Sequence, residues 1–216
     1  MSTVAFIMSA IRPTRRPPRP RRKLQTPNPE VRERLMTAAV ELIREYGFPD
    51  LRIEEIVERA GLSVGTFYLY FESKADLFVA LVTEYTERLR ARLEQAYATE
   101  GPVMERLARG LDVYLDFVEE NEKGFLYFTR AADALNTSAG RLSTWAFSVH
   151  AATLRPLIEE AIAAGAMIPL DPELTAQALV GLTQHMAAYW LEHRDRYSRE
   201  DVRRFLIEAT SASLAR

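Results

Sequence analysis

The sequence of 216 residues contains no cysteine, which excludes disulfide bonds, thiolate nucleophiles and cysteine metal sites. A chain without cysteine fits a reducing compartment, and we expect a cytoplasmic protein. No uninterrupted apolar run approaches the roughly 18 residues that a membrane-spanning helix needs. We therefore expect no membrane partner.

The chain also lacks the common signatures of enzymes. Its three histidines, His150, His185 and His193, do not have the i, i+4 spacing of a helical zinc site. There is no glycine-rich phosphate loop and no serine motif of the nucleophile-elbow type. The sequence therefore predicts a protein that is not an enzyme and that carries neither a metal nor a cofactor.

Charge is unevenly distributed along the chain. The formal net charge is −2, yet the segment 12–23, RPTRRPPRPRRK, holds seven basic residues and no acidic one. Six of the 11 prolines fall within the first 29 residues, where they disfavour helix. Residues 1–29 are therefore predicted to form a flexible or extended arm. It is either a solvated tail or a segment that neutralises nucleic-acid phosphates, in which case the binding residues are Arg15, Arg16, Arg19, Arg21, Arg22 and Lys23.

After the arm, apolar residues recur at spacings of three and four, which is the period of an amphipathic helix. This pattern predicts helices over 31–46, 53–60 and 64–71, and a longer one that begins after Ser73. Further helical runs cover 102–118, 138–164, 172–193 and 199–214, and no strand pattern is present. The predicted fold class is all-α.

The stretch GLSVGTFYLYFESK, residues 61–74, contains four aromatic side chains close behind two glycines. On a helix, Phe67 and Phe71 share one face and can pack against the preceding helices. The opposite face presents Val64, Gly65, Tyr68 and Leu69. Gly65 costs helix stability, roughly 0.5–1 kcal/mol relative to alanine, and allows a partner to approach the backbone closely. A helix, a short turn containing glycine and a second helix together form a helix-turn-helix.

These residues resemble the TetR family of transcriptional regulators. The segments that carry the resemblance are AAVELIREYGF and IEEIVERAGLSVGTFYLYFESKADLF, while beyond residue 100 the similarity is one of layout. The resemblance implies a three-helix DNA-binding domain over residues 30–75. It also implies a larger helical domain over residues 76–216 that binds an effector and forms a homodimer.

The resemblance assigns DNA contacts to nine positions. These are Arg52, Ser63, Val64, Gly65, Thr66, Tyr68, Leu69, Tyr70 and Lys74. Val64, Gly65 and Leu69 would face base edges, and the others would lie near phosphates. Family members often carry threonine or serine where this chain has Leu51 and Arg52, so Arg52 would replace a phosphate contact by charge, and Asp50 is an alternative cap for the second helix.

An effector pocket is implied among the helices of residues 102–190. An interior rich in aromatic side chains suits a small apolar or aromatic effector. The candidate lining residues are Met104, Tyr114, Phe117, Phe125, Phe128, Trp145, His150 and Met186. For each of them taken singly, an ordinary place in the core is the competing interpretation.

The last two helices are the candidate dimer surface, with a monomeric core as the alternative. Their candidate interface residues are Ala176, Leu179, Val180, Gly181, Thr183, Ala187, Ala188, Phe205, Leu206 and Ala209. The predicted function is a ligand-responsive regulator, most simply a repressor that binds a palindromic DNA operator as a dimer and leaves it when the effector binds. The alternative is a DNA-anchored protein whose C-terminal domain binds a protein partner and no small molecule.

Overall fold

The computed structural model describes residues 28–132 and 138–214. These residues form nine α-helices and no β-strand, which confirms the predicted all-α class. The helices are α1 (Pro29–Tyr46), α2 (Ile53–Arg59), α3 (Val64–Tyr70), α4 (Lys74–Tyr97), α5 (Val103–Glu120), α6 (Glu122–Ala132), α7 (Ser138–Ala163), α8 (Pro172–Glu192) and α9 (Arg199–Leu214). The predicted arm residues Arg15, Arg16, Arg19, Arg21, Arg22 and Lys23 lie outside the described residues.

Helices α1 to α3 form a helix-turn-helix head whose turn depends on glycine. Gly61 separates α2 from α3 and has a φ of 62°, in the left-handed region that favours glycine. The Arg34 guanidinium of α1 donates a 2.5 Å hydrogen bond to the Ala60 carbonyl at the same turn. The turn is therefore fixed both by its own backbone and by a side chain from the first helix.

The inward face of α3 anchors the head. Phe67 is fully buried, and its ring centroid lies 5.5 Å from that of Phe71. Both rings belong to one apolar cluster with Leu42 of α1 and Ile56 of α2. The packing predicted for the recognition helix is therefore present, and it leaves the opposite side of α3 uncovered.

Helix α2 begins without a serine or threonine side chain to cap it. Its N-cap residue is Arg52, so the alternative of an Asp50 cap was wrong. The Glu55 carboxylate instead accepts a 3.3 Å hydrogen bond from the Arg52 backbone N–H. Glu55 thus satisfies an amide at the helix start from within the first turn, which is the glutamate half of a capping box.

The larger helical body is built around α4. This helix packs against α5 and α7, and α7 in turn packs extensively against α8. Helix α9 lies across α5 and α8 and is held by a bidentate ion pair from Arg203 to Asp112, with distances of 2.6 and 3.1 Å. Because α4 starts beside the head and runs along the body, it belongs to both parts of the molecule.

Three aromatic rings join the head to the body. Phe48, in the loop after α1, lies 4.6 Å from Phe78 of α4 and 5.0 Å from Tyr127 of α6, measured between ring centroids. Nearby, Lys123 at the start of α6 donates a hydrogen bond to the Glu45 carbonyl of α1. The head therefore touches two helices of the body, α4 and α6.

Part of the candidate dimer surface is buried within the chain itself. Ala176 and Ala187 are fully buried in α8, and Leu206 of α9 is 2% exposed. These three residues cannot form an interface with a second chain, and the expectation for them was wrong. The helical period alone could not distinguish the outward side of α8 and α9 because both sides carry small or apolar residues.

No helix within the described ranges combines the length and the hydropathy that crossing a membrane would require.

Replacing Phe67 by alanine tests the anchoring role of the buried face of α3. We expect the free energy of unfolding to fall by about 3–5 kcal/mol, because the change leaves a cavity in a fully packed cluster. Urea denaturation measures it. The matched control is Leu69→Ala on the same helix, where the side chain is 49% exposed and the loss should be smaller. Equal losses from both changes would contradict this packing.

Candidate DNA interface and effector cavity

Helix α3 presents a short, largely uncharged surface. Val64, Tyr68 and Leu69 are 38%, 48% and 49% exposed, values that are high for such side chains. Gly65 is exposed between them, and a Cβ added there would meet only the Ser63 hydroxyl at 3.7 Å. Seven residues span roughly 10 Å of helix at about 1.5 Å per residue, which fits the major groove of DNA, about 12 Å wide.

The start of α3 is closed by hydroxyl groups. Ser63 is the N-cap of α3 and accepts a 3.1 Å hydrogen bond from the Thr66 backbone N–H. The hydroxyls of Ser63 and Thr66 also lie 2.9 Å apart and share a hydrogen bond. Both residues therefore stand at the positive end of the helix, where an anion is favoured.

Tyr70 links the end of α3 to Asn28, where the arm ends and α1 begins. Its hydroxyl accepts a 3.1 Å hydrogen bond from the backbone N–H of Asn28, the N-cap of α1. The Tyr70 hydroxyl hydrogen remains able to donate to another group. The contact places residue 28, and with it the end of the arm, beside the recognition helix.

Lys74 is half-buried at the first position of α4. Its ammonium donates a 2.8 Å hydrogen bond to the Pro49 carbonyl and lies 4.8 Å from the centroid of the Phe48 ring. Burial lowers the pKa of Lys74, opposed by the nearby Asp50 carboxylate. An ammonium has three donors, so one bond to Pro49 leaves others for a phosphate.

Several basic residues of the head are already paired with acids or carbonyls. Arg52 contacts Glu55 at 2.5 Å, although its side chain is 71% exposed. The hydrogen bonds from Arg52 and from the Tyr46 hydroxyl hold the pKa of Glu55 at about 2. Arg59 likewise donates to Glu45 at 2.8 Å. The head therefore offers little unpaired positive charge of its own.

Arg32 is a possible phosphate contact that sequence reasoning missed. It is exposed on α1, and its guanidinium lies 5.7 Å from the centroid of the Phe71 ring at the end of α3. Only the contact between α1 and the end of α3 brings it there. An arginine on a predicted amphipathic helix carries no sequence signal that separates this place from an ordinary solvated one.

A cavity of about 210 Å³ lies in the body between α4, α5, α7, α8 and α9. Its wall is mainly apolar and contains no aspartate, glutamate, lysine or arginine. The lining residues are Leu93, Tyr97, Met104, Leu107, Ala108, Gly110, Leu111, Tyr114, His150, Leu154, Met167, Leu179, Val180, Thr183, Leu206, Ile207, Thr210 and Ser211. This space is suited to an apolar small molecule.

The structure separates the predicted pocket residues into three groups. Met104, Tyr114 and His150 line the 210 Å³ cavity. Phe125 and Phe128 line a second cavity of about 90 Å³ at the junction of head and body. The remaining candidates, Phe117, Trp145 and Met186, lie in the apolar clusters of the body and line none of the cavities described here.

Close packing around Gly110 shapes one wall of the 210 Å³ cavity. A Cβ at this position of α5 would lie 2.1 Å from the Tyr97 ring of α4, so only glycine admits the ring there. Both residues line the cavity, and neither was predicted to do so. An isolated glycine in a helical pattern does not indicate which neighbouring side chain it makes room for.

Burial changes the titration of the polar groups near the cavity. It lowers the pKa of His150 to about 4, so the imidazole is neutral near pH 7. It raises the pKa values of the Tyr97 and Tyr114 hydroxyls, which therefore stay protonated. Among the residues with described side chains, no group of three or more histidine, aspartate or glutamate residues could hold a metal ion.

Comparisons with known proteins agree with this architecture. The family model described as bacterial regulatory proteins, tetR family, matches residues 35–81, and the model described as tetracyclin repressor-like, C-terminal domain, matches residues 100–214. The uncharacterized HTH-type transcriptional regulator YdgC of Bacillus subtilis is 28% identical over 171 residues. That alignment covers 75% of this chain and 82% of YdgC.

Two solved structures with bound ligands share the fold. A transcriptional regulator from Saccharomonospora viridis in complex with choline superposes with a TM-score of 0.77 and 21% identity, covering 88% of this chain and 100% of that one. The regulator FadR from Bacillus subtilis in complex with stearoyl-CoA has a TM-score of 0.69 and 22% identity, covering 82% and 96%. The helix-turn-helix head and the two matching family models together show that this chain belongs to the TetR family of bacterial transcriptional regulators.

Proposed function

We propose that the protein is a ligand-responsive repressor that binds a palindromic operator as a homodimer and is released by a small effector with an apolar or aromatic body. One observation carries this proposal. Helix α4 begins at Lys74, four residues after the last residue of α3, and lines the 210 Å³ cavity with Leu93 and Tyr97. A molecule in that cavity therefore contacts the helix that follows directly after the helix-turn-helix head.

DNA recognition is assigned to the exposed face of α3. Val64, Gly65 and Leu69 have no side-chain hydrogen-bonding group, so they would contact base edges through apolar surface, such as thymine methyl groups, and through close backbone approach. Ser63, Thr66, Tyr68, Tyr70, Lys74 and Arg52 would lie near phosphates. With so few hydrogen-bonding groups for bases, the sequence specificity of α3 would depend partly on the shape of the DNA. Binding to operator DNA requires the compartment that holds the DNA, and this supports a cytoplasmic location.

The residues that line the cavity determine the chemical class of effector that we propose. Within the family fold, one protein of known structure binds choline and another binds stearoyl-CoA, so the fold alone does not select a ligand class. Here the wall carries no charged side chain, and an isolated buried charge is costly to desolvate. A neutral molecule with an apolar or aromatic body is the ligand that this wall favours.

The homodimer is assigned to the outer faces of α8 and α9. Leu174 is 70% exposed, and Ala178 and His185 follow it along one side of α8. On α9, Phe205 is 50% exposed although it is a large aromatic side chain. Two copies of this surface can form a four-helix interface with twofold symmetry. The twofold axis would then place two recognition helices on a palindromic site.

Gly65→Ala separates DNA binding from folding. Alanine should raise the free energy of unfolding by roughly 0.5–1 kcal/mol, since it favours helix and its Cβ meets no close neighbour. Binding to a duplex selected from random sequences should weaken, because the Cβ lies between the α3 backbone and the bases. Urea denaturation and fluorescence anisotropy measure the two effects.

The matched control is Gly124→Ala in α6, where the new Cβ would also make only ordinary contact, 3.6 Å from Ile43. This change lies away from α3 and should leave DNA affinity as it is. Unchanged DNA affinity in the Gly65→Ala protein would remove Gly65 from the interface.

Deleting residues 1–23 tests the basic arm. The end of the arm lies beside α3 through the contact between Asn28 and Tyr70. Each phosphate contact contributes about 0.9 to the slope of log affinity against log salt, so the deletion should flatten this slope. A deletion of residues 1–11, which carry no charged side chain, serves as the control. If both deletions gave the full-length slope, the arm would be a solvated tail.

Reciprocity tests the release mechanism. An effector found by thermal shift should bind more weakly when operator is present, by the same factor by which it weakens operator binding. Couplings of this kind amount to roughly 1–3 kcal/mol. Isothermal titration with operator and with a scrambled duplex measures the factor. Equal effector affinity in both titrations would favour the alternative, in which the C-terminal domain binds a protein partner.

A further inference from the structure

A small cavity with both polar and aromatic lining residues adjoins the apolar one in the middle of the body. Its volume is about 10 Å³, and its polar wall consists of Tyr85, Thr86, Tyr114, His150 and Gln184. Tyr114 and His150 also line the 210 Å³ cavity, so the two spaces share a wall. The polar side chains come from α4, α5, α7 and α8, which makes this a convergence of four helices.

Three polar atoms of this wall are buried without a hydrogen-bond partner. They are the Tyr85 hydroxyl, the Thr86 hydroxyl and Nε2 of His150. Thr86 is fully buried on α4. Buried polar groups in folded proteins are nearly always hydrogen-bonded, and the exceptions call for an explanation. Three of them around one cavity are suited to bind a hydrogen-bonding group, from a ligand or from a water molecule.

The chemistry of this wall selects an uncharged group. Each hydroxyl can donate and accept, and a neutral imidazole does one or the other at Nε2 according to its tautomer. Because burial lowers the pKa of His150 to about 4, the wall carries no positive charge near pH 7. No aspartate, glutamate, lysine or arginine lines either cavity. An ionised carboxylate or ammonium would therefore lose its hydration without gaining a counter-ion.

We propose that Tyr85, Thr86 and His150 form the polar end of the effector site and bind an uncharged hydroxyl, carbonyl or amide group of the effector. The apolar or aromatic body of the same molecule fills the 210 Å³ cavity. The inference rests on the proposed effector function and deepens it, because it names a ligand class: small neutral molecules with one polar end.

The position of this polar end gives it a regulatory role. Tyr85 and Thr86 lie on α4, and Thr86 is 12 residues after Lys74, roughly 18 Å along the helix at about 1.5 Å per residue. The effector's polar group thus bonds directly to the helix that starts beside α3. Its apolar body contacts α4 again at Leu93 and Tyr97, and also contacts α5, α7, α8 and α9.

Three probe molecules with one carbon skeleton test the ligand class. Each probe has a phenyl ring and two further carbons. Ethylbenzene has no polar group, 2-phenylethanol ends in a hydroxyl, and phenylacetate ends in a carboxylate. Isothermal titration calorimetry on the full-length protein measures each affinity without DNA. Phenylacetate should bind most weakly, since its charge has no partner in either cavity.

Two gentle substitutions test the residues. Thr86→Val and Tyr85→Phe remove one hydroxyl each and keep the shape of the side chain. Both should lower the affinity for 2-phenylethanol roughly three- to tenfold, which corresponds to the loss of one neutral hydrogen bond. The affinity for ethylbenzene should change less than twofold. The matched control is Thr83→Val on the same helix, whose hydroxyl already donates to the Val79 carbonyl at 2.7 Å. It should leave the ratio of the two affinities unchanged.

The thermal midpoint of the ligand-free variants separates a ligand position from a structural water. Removing an unpaired buried hydroxyl should leave the midpoint equal or higher. A lower midpoint together with an unchanged affinity ratio would mean a structural water only, and would overturn the inference. An unchanged ratio with tight binding of ethylbenzene would also overturn it while leaving the apolar cavity in place. If none of the three probes bound at millimolar concentration, the proposed effector cavity itself would fail.

Discussion

The contact among Phe48, Phe78 and Tyr127 is the constraint on which the rest of the structure depends. Their ring centroids lie 4.6 to 5.5 Å apart and join the loop after α1, helix α4 and helix α6. Aromatic pairs at these distances gain energy beyond the apolar area that they bury. Lys74 lies over the Phe48 ring and bonds to the Pro49 carbonyl, which fixes the first residue of α4 to the same loop. The head cannot turn relative to the body unless these contacts change.

This junction explains how a signal can pass between two distant parts of a helical protein. Packed interiors respond to strain by moving between discrete arrangements and not by gradual deformation. A ligand can shift such an equilibrium only by binding its two states with different affinity. In the arrangement proposed here, the difference arises on α4, since its Thr86 is near the polar end of the site and its Lys74 contacts the loop of the head. The second cavity, of about 90 Å³, lies beside α4 between these points and is lined by its Phe78, Leu81 and Val82.

The sequence predicted the fold class and most helix boundaries because these depend on local signals. Serine caps before α3 and α4, glycine after α1 and α2, and the apolar period are all visible in the chain. The cavity was predicted less well because it depends on tertiary packing. An aromatic residue in a helical stripe, such as Phe117 or Trp145, has the same pattern whether it fills the core or lines a cavity. Thr86 and Tyr85 were missed because nothing in the sequence marks a buried hydroxyl without a partner.

Charge is divided between the described head and the arm, and this division bears on how the protein finds its site. In the head, Arg34, Arg52 and Arg59 bond to Ala60, Glu55 and Glu45, so they act first as structural cations. Seven basic residues lie instead in segment 12–23, outside the described residues. Electrostatic attraction to phosphates is independent of base sequence, whereas contacts of α3 with base edges are not. Under the proposed assignment, affinity for any DNA and preference for one site can be changed separately, because different residues would carry them.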